Sequence, residues 1–225
     1  VTGLLLTYTD DLGGSFSATI DKISFKDNGD GTVAVTMSET YPMSLAFPAQ
    51  SEGPSSMKLT ISQPGLLITA GGSAAETKYD FAAPNVSVVL DEVKDQAGAV
   101  MDSDASLTLT DSVASYLVAT SGDATALDST FAAKSLALTM SGQDPAGPGD
   151  GTANGAVTLS LTDLAGSTKG NLLGAEIMAN MATALNSGFT SDTNLSFGTM
   201  AFTADVTDAT GPTSVKGSAT GGGLV

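Results

Sequence analysis

The sequence predicts a mainly β fold: an elongated, curved antiparallel meander built from repeats of roughly fifty residues, with one amphipathic helix over 171–187 packed on the sheet. Three observations carry that expectation. Phe81-Ala82-Ala83-Pro84-Asn85-Val86-Ser87-Val88-Val89-Leu90 returns fifty positions later as Phe131-Ala132-Ala133-Lys134-Ser135-Leu136-Ala137-Leu138-Thr139-Met140, and each copy sets apolar side chains at alternate positions. Turn signals rich in Gly, Asn, Asp and Pro separate such stretches along the chain. From 171 to 187 the apolar period changes from two to about 3.6.

The elements follow in order. Val1, Leu4, Leu5, Leu6 and Tyr8 form an apolar opening strand that turns at Asp10 to Gly14. Ala18, Ile20, Ile23 and Phe25 then lead into Asp27-Asn28-Gly29-Asp30-Gly31, and Val33, Val35 and Met37 lead out, so a tight hairpin is expected with Gly and Asn at positive φ. The slipped spacing between Ile20 and Ile23 predicts a bulge at Asp21-Lys22. Met43, Leu45 and Phe47 alternate after Pro42, and Pro48 to Pro54 is a loop. Met57, Leu59 and Ile61 form the next strand, Gln63-Pro64-Gly65 turns, and Leu66-Leu67-Ile68 is a short apolar strand. Adding fifty carries Met57 and Leu59 to Leu107 and Leu109, and another fifty to Val157 and Leu159, which predicts a gap-free register into a third copy. Whether Ala74 to Ala82 is a separate strand stays open at this level.

The helix is read from Leu173, Ile177, Met181 and Leu185 on one stripe, flanked by Leu172 and Met178, with Asn171 as N-cap and Gly188 as its stop. Phe189, Leu195, Phe197 and Phe202 resume the strands, and turns are expected at Gly211-Pro212 and Gly221 to Gly223. The chain of 225 residues is read as one continuous β domain over 1–225. Its opening and closing stretches look like strands cut short, which predicts a fragment of a longer exported chain.

Composition narrows function. The formal charge is -16, with 41% hydrophobic and only 14% charged residues, a mixture that suits β-rich exported proteins and lacks the signature of disorder. The eight basic residues are scattered lysines, so no basic patch exists for nucleic acid or for anionic membrane surfaces. With no Cys and no His there is no thiol nucleophile, imidazole base, zinc site or disulfide. No run of about 18 apolar residues marks a spanning helix.

Each constellation that could carry chemistry has a plainer reading. Asp27 to Gly31 has the composition of a calcium loop, but its glycines fall where ligands are needed and no Glu stands at the twelfth position, so it is a turn. Gly149-Asp150-Gly151-Thr152 echoes it as a reused turn. Asp95, Asp102 and Asp104 are expected as solvated edge charges. The pairs Asp10-Asp11 and Asp91-Glu92 place neighbouring carboxylates on opposite faces of a strand, so neither serves a glycosidase. Ser55 stands three before Lys58, in a strand-entry loop and not on the helix that gives Ser-x-x-Lys its meaning. No enzyme, cofactor or metal is expected.

The stretch Asp30-Gly31-Thr32-Val33-Ala34-Val35-Thr36-Met37-Ser38-Glu39-Thr40-Tyr41-Pro42, the Gln63-Pro64-Gly65-Leu66 turn and the helix exit from Ala184-Leu185 to Gly188-Phe189 resemble a family of alphaproteobacterial exported proteins, the domain of unknown function 2125. The resemblance implies an envelope location and carries no catalytic residue.

The expected function is therefore a non-catalytic structural or interaction protein of the bacterial periplasm, envelope or cell exterior, with protein partners or further copies adding at sheet edges. The alternative is a periplasmic lipid- or amphiphile-binding protein. Its groove would be lined by Val86, Val88, Leu90, Leu136, Leu138 and Met140 of the sheet and by Leu173, Ile177 and Met181 of the helix.

Overall fold

The computed structural model describes residues 1–48, 54–121, 124–144, 153–208 and 211–224. Twelve strands form one sheet: β1 (Thr2–Thr9), β2 (Ser15–Asp27), β3 (Thr32–Met37), β4 (Thr40–Ala46), β5 (Ser56–Ser62), β6 (Leu67–Gly72), β7 (Glu76–Lys94), β8 (Ser103–Ser121), β9 (Ala124–Asp144), β10 (Ala153–Leu172), β11 (Thr190–Asp208) and β12 (Gly211–Leu224). Two short helices, α1 (Ala175–Met178) and α2 (Met181–Asn186), join β10 to β11. Every pairing is antiparallel. Alternating apolar residues between short turns can do little else, since a hairpin returns each strand beside the one before it.

Although the strand order is β12-β11-β10-β9-β8-β7-β5-β4-β2-β3-β6, the path is simpler than it looks. β3 and β4 lie end to end along β2, while β6 and β5 lie end to end between β3/β4 and β7. Each pass of the chain therefore lies beside the previous one. The stretch from Ala74 to Ala82 is not a separate strand: from Glu76 it is the first half of β7.

The hairpin at Asp27 to Gly31 forms, with the glycines but not Asn28 at positive φ. Gly29 and Gly31 take φ 79° and 86°, the Asp27 carboxylate accepts from Gly29 N–H at 2.8 Å, and that of Asp30 accepts from Thr32 N–H at 3.0 Å. The bulge predicted at Asp21-Lys22 is not formed: β2 keeps one register with β1 from Thr2–Lys22 to Thr9–Ser15, and the extra residue lies on the other side, where β3 gives way to β4. Between the pairs Ala18–Met43 and Ile23–Met37 the opposing strand is one residue longer, and Ser38 fills the gap by accepting from Lys22 N–H at 2.9 Å. The loop positions 49–53 and the echo turn at Gly149-Asp150-Gly151-Thr152 lie outside the described residues.

Two further expectations are corrected. No single helix runs over 171–187. Asn171 is still in β10, where its side-chain oxygen accepts from Thr190 N–H at 2.6 Å and its amide donates to the Gly188 carbonyl at 2.8 Å. Asn180 breaks the helical stretch because it caps α2, accepting from Thr183 N–H at 3.1 Å with φ -129°. The exit is as predicted: Gly188 at φ 91° follows α2, and Phe189 N–H returns to the Ala184 carbonyl at 2.9 Å. Nor does the stripe cover the sheet, since Met181 and Leu185 are 55% and 59% exposed and, among the described side chains of the two helices, only Ala184 is fully buried.

The second correction is at the C-terminal glycines. Gly221 to Gly223 belong to β12 and do not form a turn, because Phe197 lies across Gly222, where an added Cβ would stand 2.2 Å from the ring.

The sheet also shows how far the fifty-residue register extends. Val86 pairs with Leu109, and Leu109 with Leu136, so the offset of fifty is the distance between like positions of β7 and β9. On the neighbouring rows Ile61 leads through Val88 to Leu107, and Leu107 through Leu138 to Leu159. Those steps are 46 and 52 positions, so the gap-free register does not extend over the sheet. The alternation recurs, but hairpin lengths set its spacing.

A single layer of this kind has little interior. The chain exposes 13733 Å², whereas a compact chain of 22.3 kDa would expose about 9400 Å². Among the described residues no large side chain is fully buried. Gln63, Ala83, Ser112, Ala133 and Leu164, all under 10% exposed, lie in a transverse band across the middle of the sheet. In this band the backbone ladder skips Pro84, Asp111, Lys134 and Asp163, and Asp111 and Asp163 take φ 47° and 51°. The apolar alternation changes phase by one residue at the same place, from Phe81/Ala83 to Val86/Val88 in β7 and from Phe131/Ala133 to Leu136/Leu138 in β9. The register is the same on either side of the band, from Ala83–Ser112 to Asn85–Thr110 and from Leu164–Ala133 to Thr162–Ser135, so the strands change phase together on one row with no residue inserted.

Candidate functional site

The apolar side chains beyond this band form continuous rows across five strands. Val86, Leu109, Leu136, Leu161 and Met200 make one row, and Val88, Leu107, Leu138, Leu159 and Phe202 the next, extended on the far side by Ile61. With neighbouring strands about 4.8 Å apart, the second row spans about 24 Å. The opposite face carries a polar ladder, in which Ser106 and Thr139 share a hydrogen bond at 2.7 Å and Thr162 and Thr199 one at 2.8 Å. Nothing among the described residues lies over the apolar rows: Leu107, Val157 and Met140 are 37%, 41% and 50% exposed.

Toward the strand ends the apolar face becomes concave. Leu90, Met101, Ala105, Met140, Val157 and Val206 line a cavity of about 510 Å³, within the size range of small-molecule sites. Asp104 is the one charged residue among its described lining, and Ser103, Gln143 and Asn154 supply polar groups at its edge. A second cavity of about 370 Å³ shares Asp104, Gln143 and Asn154 and adds Asp102 and Asp205. No lysine is among the described lining of either one.

Six of the nine residues expected in a groove are thus brought together: Val86, Val88, Leu90, Leu136, Leu138 and Met140 share one apolar surface. Leu173, Ile177 and Met181 are not part of it. On β10, Leu161 sits opposite Leu136 whereas Leu172 sits opposite Thr125, about 36 Å of extended chain away, and the helices lie beyond Leu172. The residues missing from the expected set are those of the strands between, Leu107, Leu109, Leu159 and Leu161. Their signal was the same alternation, and hairpin pairing interleaves them with the repeat.

The groups considered for chemistry have structural partners. Ser55 donates to the Asp95 carbonyl, and Lys58 lies 2.9 Å from Glu92, so the pair forms no dyad. Asp95 accepts from Ala97 and Ala99 N–H at 2.9 and 2.8 Å, which closes its own turn. Hydrogen bonds from Thr32 hold the Asp30 carboxyl below its usual range, Lys78 and Ser115 do so for Asp80, and Lys58 followed by Lys94 does so for Glu92. Burial raises the Tyr41 phenol. None of these four lines the cavity beside Met140. Among the described residues no three carboxylates gather as metal ligands, and no helix is long and apolar enough to cross a membrane.

No protein-family model, curated protein or solved structure matches the chain.

Proposed function

We propose that this chain is a non-catalytic binding protein of the bacterial envelope or cell exterior whose apolar sheet face receives the hydrocarbon chain of a lipid or other amphiphile. The observation that supports it most is the uncovered apolar surface from Val86 to Met200, which ends in the cavity beside Leu90 and Met140. A sheet with one apolar face must cover it, and neither helix does so here. An alkyl chain suits the surface because it asks for area and no hydrogen bonds. The exported location rests on composition and on the family resemblance. In this reading the charged and Thr-rich face stays in water.

The structural-scaffold reading has its own support at β1, which pairs only with β2 among the described residues and exposes Leu5 and Tyr8 by 60% and 65%. Pairing of another strand at that edge would make the protein an assembly module.

Native mass spectrometry after purification without detergent separates the two. Amphiphile-sized adducts on a monomer are expected, together with their loss in a Leu138→Asp, Leu159→Asp variant whose circular dichroism is unchanged. An adduct-free protein that also fails to take up dodecyl maltoside would sink the binding reading.

A further inference from the structure

Resting on that reading, we infer that the apolar face is a track that holds several alkyl chains at once, laid end to end and side by side across the strands, and not a site for one tail centred on the cavity.

The register supplies the length. One row runs from Met43 on β4 through Leu59 to Leu90, and from Met140 through Val157 to Val215 on β12, its two halves meeting in the cavity that Leu90 and Met140 share. Seven strand-to-strand steps make it about 34 Å long. A lipid tail spans about 15 Å, half the hydrocarbon core of a bilayer. A single tail in the cavity therefore reaches at most one end of the row, and the rows through Val88 and Val86, spaced about 7 Å apart, stay bare. The described residues of all three rows are uncharged. Asp104 and Asp205 stand between row positions on β8 and β11, so strand alternation turns them to the opposite face.

The open shape favours joint filling. Val215 is 53% exposed, more than Met140 or Val157, so the face has a floor without walls and a chain lying alone keeps its flanks in water. A second chain beside it dries one flank of each. The hollow itself lies where Gly142 and Gly155 adjoin Met140 and Val157, and an added Cβ at Gly155 would meet nothing within 4 Å. A flexible tail fills such a hollow, whereas the rigid face of a second copy would span it and leave a void.

The test uses the whole chain, which has no native cysteine. Met43→Cys and Val215→Cys at the two ends of the row, and Thr158→Cys on the opposite face, each carry a bimane label. Brominated dodecyl maltoside is added below its micelle concentration. Both end labels should lose most of their emission along the same sigmoidal curve, while the Thr158→Cys label loses little. Native mass spectra of the unmodified chain with dodecyl maltoside, an arm that stands whether or not a labelled variant folds, should show two or more adducts while the one-adduct form stays minor. One adduct at saturation, a one-adduct form that predominates, or quenching at only one end overturns the track and leaves the amphiphile reading standing. No binding at all, or equal quenching on the opposite face, overturns the amphiphile reading as well, as does a stable dimer by light scattering that shields both end labels without detergent.

Discussion

At the transverse band the two sides of the sheet meet one requirement with different chemistry. From β7 to β11 the strands pass straight through it: the ladder skips a residue, Asp111 and Asp163 take left-handed backbone, and Ser112 satisfies itself by donating to the Ala83 carbonyl at 3.2 Å. On the other side the chain breaks between β3 and β4 at Ser38-Glu39 and between β5 and β6 at Gln63 to Leu66, and the buried Gln63 leaves its Nε2 without a partner. Gln63 N–H does reach the Glu39 carbonyl at 2.6 Å, so the backbone there is served and the side chain is not. Long strands keep their register through the band at the loss of one or two ladder pairs, whereas short ones end there and bury an amide at a cost.

The largest effect should come from the one large apolar side chain buried in the band. Leu164→Ala in β10, a residue 8% exposed, is expected to lower stability by about 2–3 kcal/mol in urea unfolding, while Val157→Ala, on the same strand but 41% exposed, should cost under about 1 kcal/mol. Equal costs would mean that the open face is covered after all.

The two buried polar residues should respond with opposite sign. Gln63→Met removes an unpartnered amide and is expected to raise stability by about 1 kcal/mol, while Ser112→Ala loses a made hydrogen bond and should lower it by about 1 kcal/mol. Destabilisation by both would show that Gln63 has a partner in solution.

The smallest effect belongs to the ion pairs beside β5. The folded-state pKa of Glu92 is depressed by Lys58 and Lys94, so its contribution is present above the unfolded value of about 4.3 and is lost as pH falls through the folded one. Glu92→Gln should therefore reduce the difference in unfolding midpoint between neutral pH and pH near 3, with little change at pH 3 itself. An unchanged difference would mean that the exposed pair contributes nothing measurable.

Much of this was legible in the residues. Alternation and Gly-rich turns gave an antiparallel β sheet, the hairpin at Asp27 to Gly31, and six residues of the apolar surface, because strand periodicity is local and turn chemistry is specific. The helix was legible only in part. Leu173, Ile177, Met181 and Leu185 do fall at helical spacing, but Asn171 and Asn180 hydrogen-bond the backbone in ways that periodicity does not reveal. Placing the helix on the groove required tertiary information, as did the pairing that brings Leu107 and Leu159 onto the same rows as Val88 and Leu138. The apparent repeat misled for a related reason: one pair of like strands is fifty residues apart, and its neighbours are not.

The end-to-end arrangement of β3 with β4 and of β6 with β5 has a further consequence for folding. Because each pass of the chain neighbours the pass before it, no contact between strands waits on the closure of a long loop, and the longest detour, through α1 and α2, is pinned at its base by Asn171. The sheet is thus a nearly one-dimensional array that can zip outward from any well-formed hairpin. Its opening free energy should fall from the long central strands toward β1 and β12, and along each strand from the middle toward the ends where the apolar cavity lies.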